Sequence, residues 1–444
     1  MRILIPALCL VTALVAAHAA SPSENSWPQW RGPLATGVAP KGKVPSEWSE
    51  EKNVQWKYQI HGFGSSTPIV WGNQVFIQTA VPTGKKEEKP QAEEPSGRRG
   101  RGEVPTEYQD FVILSVDRTT GKQLWQKTAR TELPHEGHHK DHGFASASPV
   151  TDGEHLYVYF GSRGLYCYDL SGNLKWEKDL GDMRTRNGFG EGSSPALHGN
   201  TLVVNWDHEG EDFIAALDKR TGKEIWRKPR EEATTWVTPV IFEHSGKTQV
   251  VVSATTKIRS YDLNNGEVIW ECSGMTANVI PTPVIGFDMV YALSGFRGNS
   301  LLAIKLGRTG DLTGTDAIAW SHNKNTPYVP SPLLYGERLY FFGGNNAILS
   351  CFNAKTGKVL IDAERLPGIF GVYGSPIAAD GKVFLVGREG VSLVIKDSDK
   401  LELLATNKLD DKFDASPAIS GNQLFLRGHK FLYAISDTKE MADK

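Results

Sequence analysis

SPALHGNTLVVNWDHEGEDFIAALDKRTGKEIW, residues 194–226, is one full period of this chain. It opens on Ser194-Pro195, turns at His198-Gly199-Asn200, and runs through β-branched and aromatic residues from Thr201 to Asp207. A second apolar run, Phe213 to Asp218, leads into Asp218-Lys-Arg-Thr-Gly222. There the glycine can take the left-handed conformation that closes a tight hairpin, and the aspartate can bond the turn amides. The last run carries Trp226. Four short strand-type segments joined by turn chemistry predict a four-stranded antiparallel meander.

The unit recurs. Ser/Thr-Pro stands at Pro68, Pro149, Pro195, Pro239, Pro283, Pro332, Pro376 and Pro417, at intervals of 81, 46, 44, 44, 49, 44 and 41 residues. Each is followed by a turn and a second-strand run such as HLYVYFG (155–161) or KVFLVGR (382–388). Fourth-strand tryptophans follow at Trp125, Trp176, Trp226, Trp270 and Trp320. Four-stranded units at this period predict an all-β, eight-bladed propeller over residues 53–438. The eighth unit ends without a fourth strand, whereas NVQWKYQI (53–60) carries Trp56 in a fourth-strand pattern ahead of the first unit. That strand is expected to complete the last blade and so remove an open sheet edge. The long first interval holds a charged, Pro/Gly-rich stretch, residues 84–106, which reads as a flexible insertion in blade 1.

The composition excludes several classes. Lys+Arg 49 against Asp+Glu 51 gives a net charge of -2, which provides no field for a nucleic-acid backbone. A 39% hydrophobic content is wrong for a disordered chain. Residues 1–20, with Arg2, an apolar run and small residues at Ala17 and Ala19, read as a cleaved signal peptide. The expected destination is periplasmic or secreted, with no transmembrane span. Residues 21–52 form an N-terminal segment and 439–444 a tail. Cys9 lies inside the apolar run rather than after it, so lipidation is not expected. Cys167, Cys272 and Cys351 form no C-x-x-C pair; Cys167 and Cys351 fall where other units have Ser115, Ala216, Ser260 or Ala303, as small residues filling a tight slot.

The recurring Ser/Thr-Pro, the third-strand Ala-Leu-Asp-type run and Thr-Gly-Lys-x-x-Trp closely resemble the pyrroloquinoline quinone (PQQ)-like repeat, from about Trp27 to the C-terminus. WPQWRGP (27–33) resembles the N-terminal segment of secreted bacterial PQQ-like propellers. The resemblance implies either a quinoprotein alcohol dehydrogenase, holding PQQ and Ca²⁺ in its central funnel, or a non-catalytic propeller like that of the outer-membrane β-barrel assembly machinery. The adjacent cysteines that typically cover the quinone are absent here, as is C-x-x-C-H for an attached haem.

Chemistry-bearing motifs are few. HEGHH (135–139) matches H-E-x-x-H, but Pro134 and Gly137 place it in a linker rather than on a helix. A loop metal site on His138 and His142 remains as an expectation beside a plain solvated loop. No nucleophile elbow, phosphate-binding loop or EF-hand occurs. The linkers before each Ser/Thr-Pro should crowd one mouth of the channel. They bring His61, Phe63, Phe144, Arg186, Glu191, Trp236, Asn278, Tyr328, Tyr373 and Asp414, an aromatic set with a few charges. Such a funnel could stack a small planar or sugar-like ligand. Alternatively, the aromatics plug the ring and Arg186 pairs with Glu191. The reading is a non-catalytic binding or scaffold propeller, expected to be a monomer, with protein or cell-envelope partners. A PQQ oxidoreductase is the alternative, and a polysaccharide-cleaving enzyme using Glu191 and Asp414 is a third.

Overall fold

Serine or threonine ahead of proline recurs because the two residues do separate jobs at the waist of a ring. In the computed structural model, which describes residues 25–87 and 104–437, the chain enters an innermost strand just after each proline. The signal-peptide segment, the middle of the charged insertion and the C-terminal tail lie outside the described residues. The innermost strands are Ile69–Trp71, Val150–Thr151, Ala196–His198, Val240–His244, Val284–Gly286, Leu333–Tyr335, Ile377–Ala379 and Ala418–Ser420. Each opens one antiparallel blade, giving the eight-bladed all-β propeller that the periodicity predicts. Proline has no N–H to leave unpaired. The hydroxyl before it accepts the backbone N–H of its counterpart one blade earlier: Thr67 N to Ser148 Oγ (2.9 Å), Ser148 N to Ser194 Oγ (2.9 Å), and so on through Thr238, Thr282, Ser331, Ser375 and Ser416. Seven joints carry this bond. At the eighth, between blades 8 and 1, Thr67 Oγ1 is buried without a partner. Arg427 spans that joint instead, its Nη1 donating to Gln78 O (2.7 Å) and to Ser66.

The middle strands are apolar on both faces because each blade is covered on both sides. Leu202 and Val204 pack toward blade 2, whereas Val203 packs toward blade 4. An alternation whose two faces are both buried reads in sequence as one continuous apolar run.

The tryptophans clasp neighbouring blades. Trp125 Nε1 donates to Leu170 O (3.0 Å), Trp176 to Lys219 O (3.0 Å), Trp226 to Leu263 O (2.8 Å) and Trp320 to Ala354 O (2.9 Å). Each ring lies on the hairpin glycine of the next blade: a Cβ on Gly222, at φ +67, would stand 2.8 Å from the Trp176 ring. Opposite each tryptophan in its own sheet sits a small residue: Ser115, Cys167, Ala216, Ser260 or Ala303. The tight slot read for the cysteines is therefore, at Cys167, the space behind Trp176, while at Cys351 it lies opposite Ile361. Cys167, Cys272 and Cys351 are buried free thiols, and burial pushes Cys167 up to about 12. Trp270 departs from the pattern: its Nε1 has no partner, and a fifth strand, Gly310–Asp311, runs parallel beside it.

Val54–Gln59 pairs antiparallel with Phe431–Ile435 and closes blade 8, with Trp56 opposite Ala434. Trp56 Nε1 then donates to Arg118 O of blade 1 (3.0 Å), repeating the clasp across the closure. In blade 1 the ladder of Gln74–Lys86 and Glu107–Asp117 extends through Glu87 N to Thr106 O (2.8 Å), so both ends of the segment read as a flexible insertion belong to the sheet.

Residues 25–52 cross one end of the ring. Trp27 bridges Val70 of blade 1, Pro28 O accepts Thr151 N of blade 2, Ala39 N bonds Ala378 O of blade 7, and Lys43 N bonds Gly421 O of blade 8. Arg31, only 2% exposed, donates to Pro332 O (2.6 Å) and Pro376 O (2.7 Å). Burial lowers its guanidinium to about 9, and it meets carbonyls rather than a carboxylate. The segment is a floor for the channel.

Candidate functional site

Above that floor lies a cavity of about 340 Å³ on the propeller axis. Trp30, from WPQWRGP, is its base. The hydroxyls of Ser148, Ser194, Thr238, Ser375 and Ser416 ring its waist, and Phe189, Trp236, Phe296, Tyr328 and Tyr373 line its wall. Trp236 is held by its indole N–H on Gly190 O (2.7 Å), and Tyr328 stacks on Phe296 with centroids 4.8 Å apart.

The linker from blade 1 to blade 2, Pro134–Phe144, lies over the mouth as a strap. His139 N bonds Phe189 O (3.1 Å), and its ring meets the Phe189 ring edge-on at 5.3 Å. From the strap Asp141 reaches across to Arg388 (3.2 Å) and accepts the Tyr373 hydroxyl (3.3 Å). Arg388 lies over the Tyr373 ring at 3.8 Å and bonds Asp414 (2.6 Å); His429 donates to the same carboxylate (2.9 Å). Burial opposes ionisation of Asp414, yet the bonds from His429 and Arg388 outweigh it and hold the carboxyl below its ordinary value. His142 lies between Glu191 O on Nε2 (2.9 Å) and Ser146 Oγ on Nδ1 (3.1 Å), which fixes it as the Nε2–H tautomer. Burial lowers it to about 4, so the ring is neutral at pH 7.

A second, smaller cavity of about 40 Å³ opens between blades 2 and 3, with Trp236 as a shared wall. Glu191 lines it, its carboxylate accepting Ser162 N (2.7 Å) and Ser162 Oγ (2.5 Å). Burial raises Glu191 to about 7 against the lowering effect of those bonds.

The structure thus gathers Trp236, Tyr328, Tyr373, Asp414 and His142 around the axial cavity, and Phe144 and Glu191 around the side cavity. The others lie elsewhere. His61 is exposed and gives only its carbonyl, to Thr79; Phe63 packs edge-on against His429 at 4.9 Å. Asn278 is buried at φ 53 behind the cavity wall, its side chain bonded to Tyr328, and Arg186 bonds Thr234 through its backbone amide. The alternative Arg186–Glu191 pair does not form, because Ser162 takes the carboxylate. The two histidines expected to share a metal do not converge: His138 packs on Phe144 at 4.6 Å with Nδ1 on His139 O, and His142 has both nitrogens occupied.

Sequence reasoning missed Trp30, Asp141, Phe296, Arg388 and His429. Trp30 falls outside the repeat and Asp141 sits in a polar linker with no pattern of its own, whereas Phe296, Arg388 and His429 stand on a second chain crossing of each blade, after the second strand. Arg388 and His429 end the second-strand runs KVFLVGR and QLFLRGH, and Phe296 follows MVYALSG, so the repeat alignment already places them at the same rim.

A family model described as outer membrane protein assembly factor BamB matches residues 109–359, more than half of the chain. No curated protein sequence matches it. Among solved structures, BamB from Moraxella catarrhalis superposes with a TM-score of 0.59 at 12% identity, over 86% of this chain and 99% of that one. A quinohemoprotein alcohol dehydrogenase from Comamonas testosteroni gives 0.59 at 10% identity, over 95% of this chain and 81% of its own. At these identities the likeness is one of fold. The eight repeats, the ring they close and the family match together assign the chain to the PQQ-like-repeat β-propeller family whose model bears the BamB description.

Proposed function

We propose that this chain is a non-catalytic binding propeller of the cell envelope, working in the periplasm or outside the cell. It receives a neutral, sugar-like ligand in its axial funnel and offers its outer faces to protein partners. The observation that carries this reading is the lining of the cavity: aromatic rings over a ring of hydroxyls, with two aspartates and, among the described residues, no lysine or arginine. Aromatic faces take the C–H faces of a sugar, and hydroxyls and carboxylates take its O–H groups. The family description and the signal-like N-terminus support the location, and among the described residues no helix is long and apolar enough to cross a membrane.

PQQ does not fit these residues. It carries three carboxylates, and among the described residues no lysine or arginine lines the cavity to receive them, Arg388 at the rim being held by Asp141 and Asp414. The carboxylates available for a neighbouring cation, Asp141 and Asp414, are already bonded to Arg388, and Asp414 also to His429. A polysaccharide-cleaving pair is no better supported, because Glu191 and Asp414 line different cavities.

The test is a tryptophan-fluorescence titration with neutral oligosaccharides, and separately with PQQ and Ca²⁺, on the wild type and Trp236→Ala. Saturable quenching by an oligosaccharide that is lost in the variant is expected. Stoichiometric retention of PQQ through desalting, with turnover of an alcohol, would overturn the reading.

A further inference from the structure

The side cavity poses a problem of charge. Glu136 and Glu191 lie with their carboxylate oxygens within 4.8 Å of one another and of a His135 ring nitrogen. Glu136 is bonded by Thr185 N (3.1 and 3.0 Å) and its hydroxyl, and Glu191 by Ser162. No ion pair to either carboxylate occurs among the described residues. Arg163, which lines this cavity, is paired with Glu132 (2.6 Å) and Asp182. Two partly buried carboxylates this close require a cation or a proton between them.

Independent groups point into the same space. Asn205 is 1% exposed and lines the cavity; its amide nitrogen faces Asp207 (3.2 Å) and Thr235 (3.4 Å), while its Oδ1 has no partner. Tyr159, also 1% exposed and lining the cavity, has an unpartnered hydroxyl. A volume of about 40 Å³ holds an ion with a water.

We propose that this cavity is a site for a first-row divalent cation of the Mn²⁺ or Zn²⁺ class, held by Glu136, Glu191 and Asn205 Oδ1 with His135 as the nitrogen ligand. Two carboxylates, an amide oxygen and an imidazole match that class better than an all-oxygen set would. His135 Nδ1 now accepts Arg163 (2.9 Å) and Nε2 faces Met183 O (2.5 Å). Binding exchanges one of these bonds for the ion, and Arg163 keeps Glu132 and Asp182. The ion would tie the strap linker that carries His135 and Glu136 to blade 3, which carries Asn205. The site lies beside the axial funnel, and its test is separate from that of the funnel reading.

Chelator-treated protein is titrated at pH 8 with Mn²⁺ and with Zn²⁺ by calorimetry, with Mn²⁺ paramagnetic resonance and thermal melting in parallel. One ion per chain, a broadened Mn²⁺ spectrum and a raised melting temperature are expected. Affinity should fall at least about 10-fold in Glu136→Gln and in Asn205→Ala, and stay unchanged in Asp316→Asn, an exposed carboxylate far from both cavities. If the wild type binds neither ion stoichiometrically, or if binding survives in Glu136→Gln/Glu191→Gln, the site does not exist. Stability that responds to pH alone would mean that the carboxylates share a proton instead, and would equally overturn the proposal.

Discussion

At the scale of single residues, His142 and Glu191 have opposite effects on the pH dependence of stability. The His142 pKa is depressed to about 4 by burial, so the unfolded chain binds a proton near its ordinary 6.5 that the folded chain refuses. Its contribution is fully present above 6.5 and is lost as pH falls toward 4. Glu191, raised to about 7, keeps its proton when folded after the unfolded chain has released it near 4.5, so stability falls as pH rises from 4.5 to 7. In metal-free protein, His142→Gln should therefore flatten the acid limb of a melting-temperature profile, and Glu191→Gln should raise the neutral limb relative to the wild type. The same change from both variants would show that neither titration is felt by the fold. These effects could not be read from sequence: a histidine in HEGHHKDH looks solvated until the strap is seen folded onto the funnel.

At the scale of elements, the clasp and the strap differ in strength. Trp176 lies on Gly222 with its indole N–H bonded across the blade joint. Trp176→Ala should cost about 3–5 kcal/mol in denaturant unfolding, because it removes a large packed ring and leaves a cavity. A loss under 1 kcal/mol would mean the joint is held by the strands alone. Asp141 on the strap makes a partly exposed ion pair with Arg388, and such pairs are worth about 0–1 kcal/mol. Asp141→Ala should barely move the melting temperature while speeding both association and release of any funnel ligand, as stopped-flow fluorescence would show. The strands were legible because apolar runs bounded by Ser/Thr-Pro and turn residues recur eight times, and each repeat checks the others. The strap was not, since its position depends on a contact with Arg388 nearly 250 residues away.

At the scale of the whole molecule, closure can be tested by truncation. A chain lacking residues through Ile60 loses the strand paired with Phe431–Ile435, the Trp56 clasp and the floor, and should lose solubility and most of its stability. A chain lacking only residues 1–20 should melt as the parent does. Replacing residues 88–103 with a short Gly/Ser linker should leave melting nearly unchanged, because the ladder already closes at Glu87 and Thr106 and loop entropy varies slowly with length. Ring, blade count and closure were all visible in the repeat. The floor was not, because residues 25–52 fall outside the period and no repetition supports a reading of them.

That floor sets an order of events. Arg31 needs the carbonyls of Pro332 and Pro376, and Lys43 needs Gly421, so this part of the floor has no binding place until blades 6 to 8 have formed. Contacts so distant along the chain form slowly. A funnel still open at its lower end is therefore expected until those blades are in place, and the seating of Arg31 is what turns a through-channel into a cup.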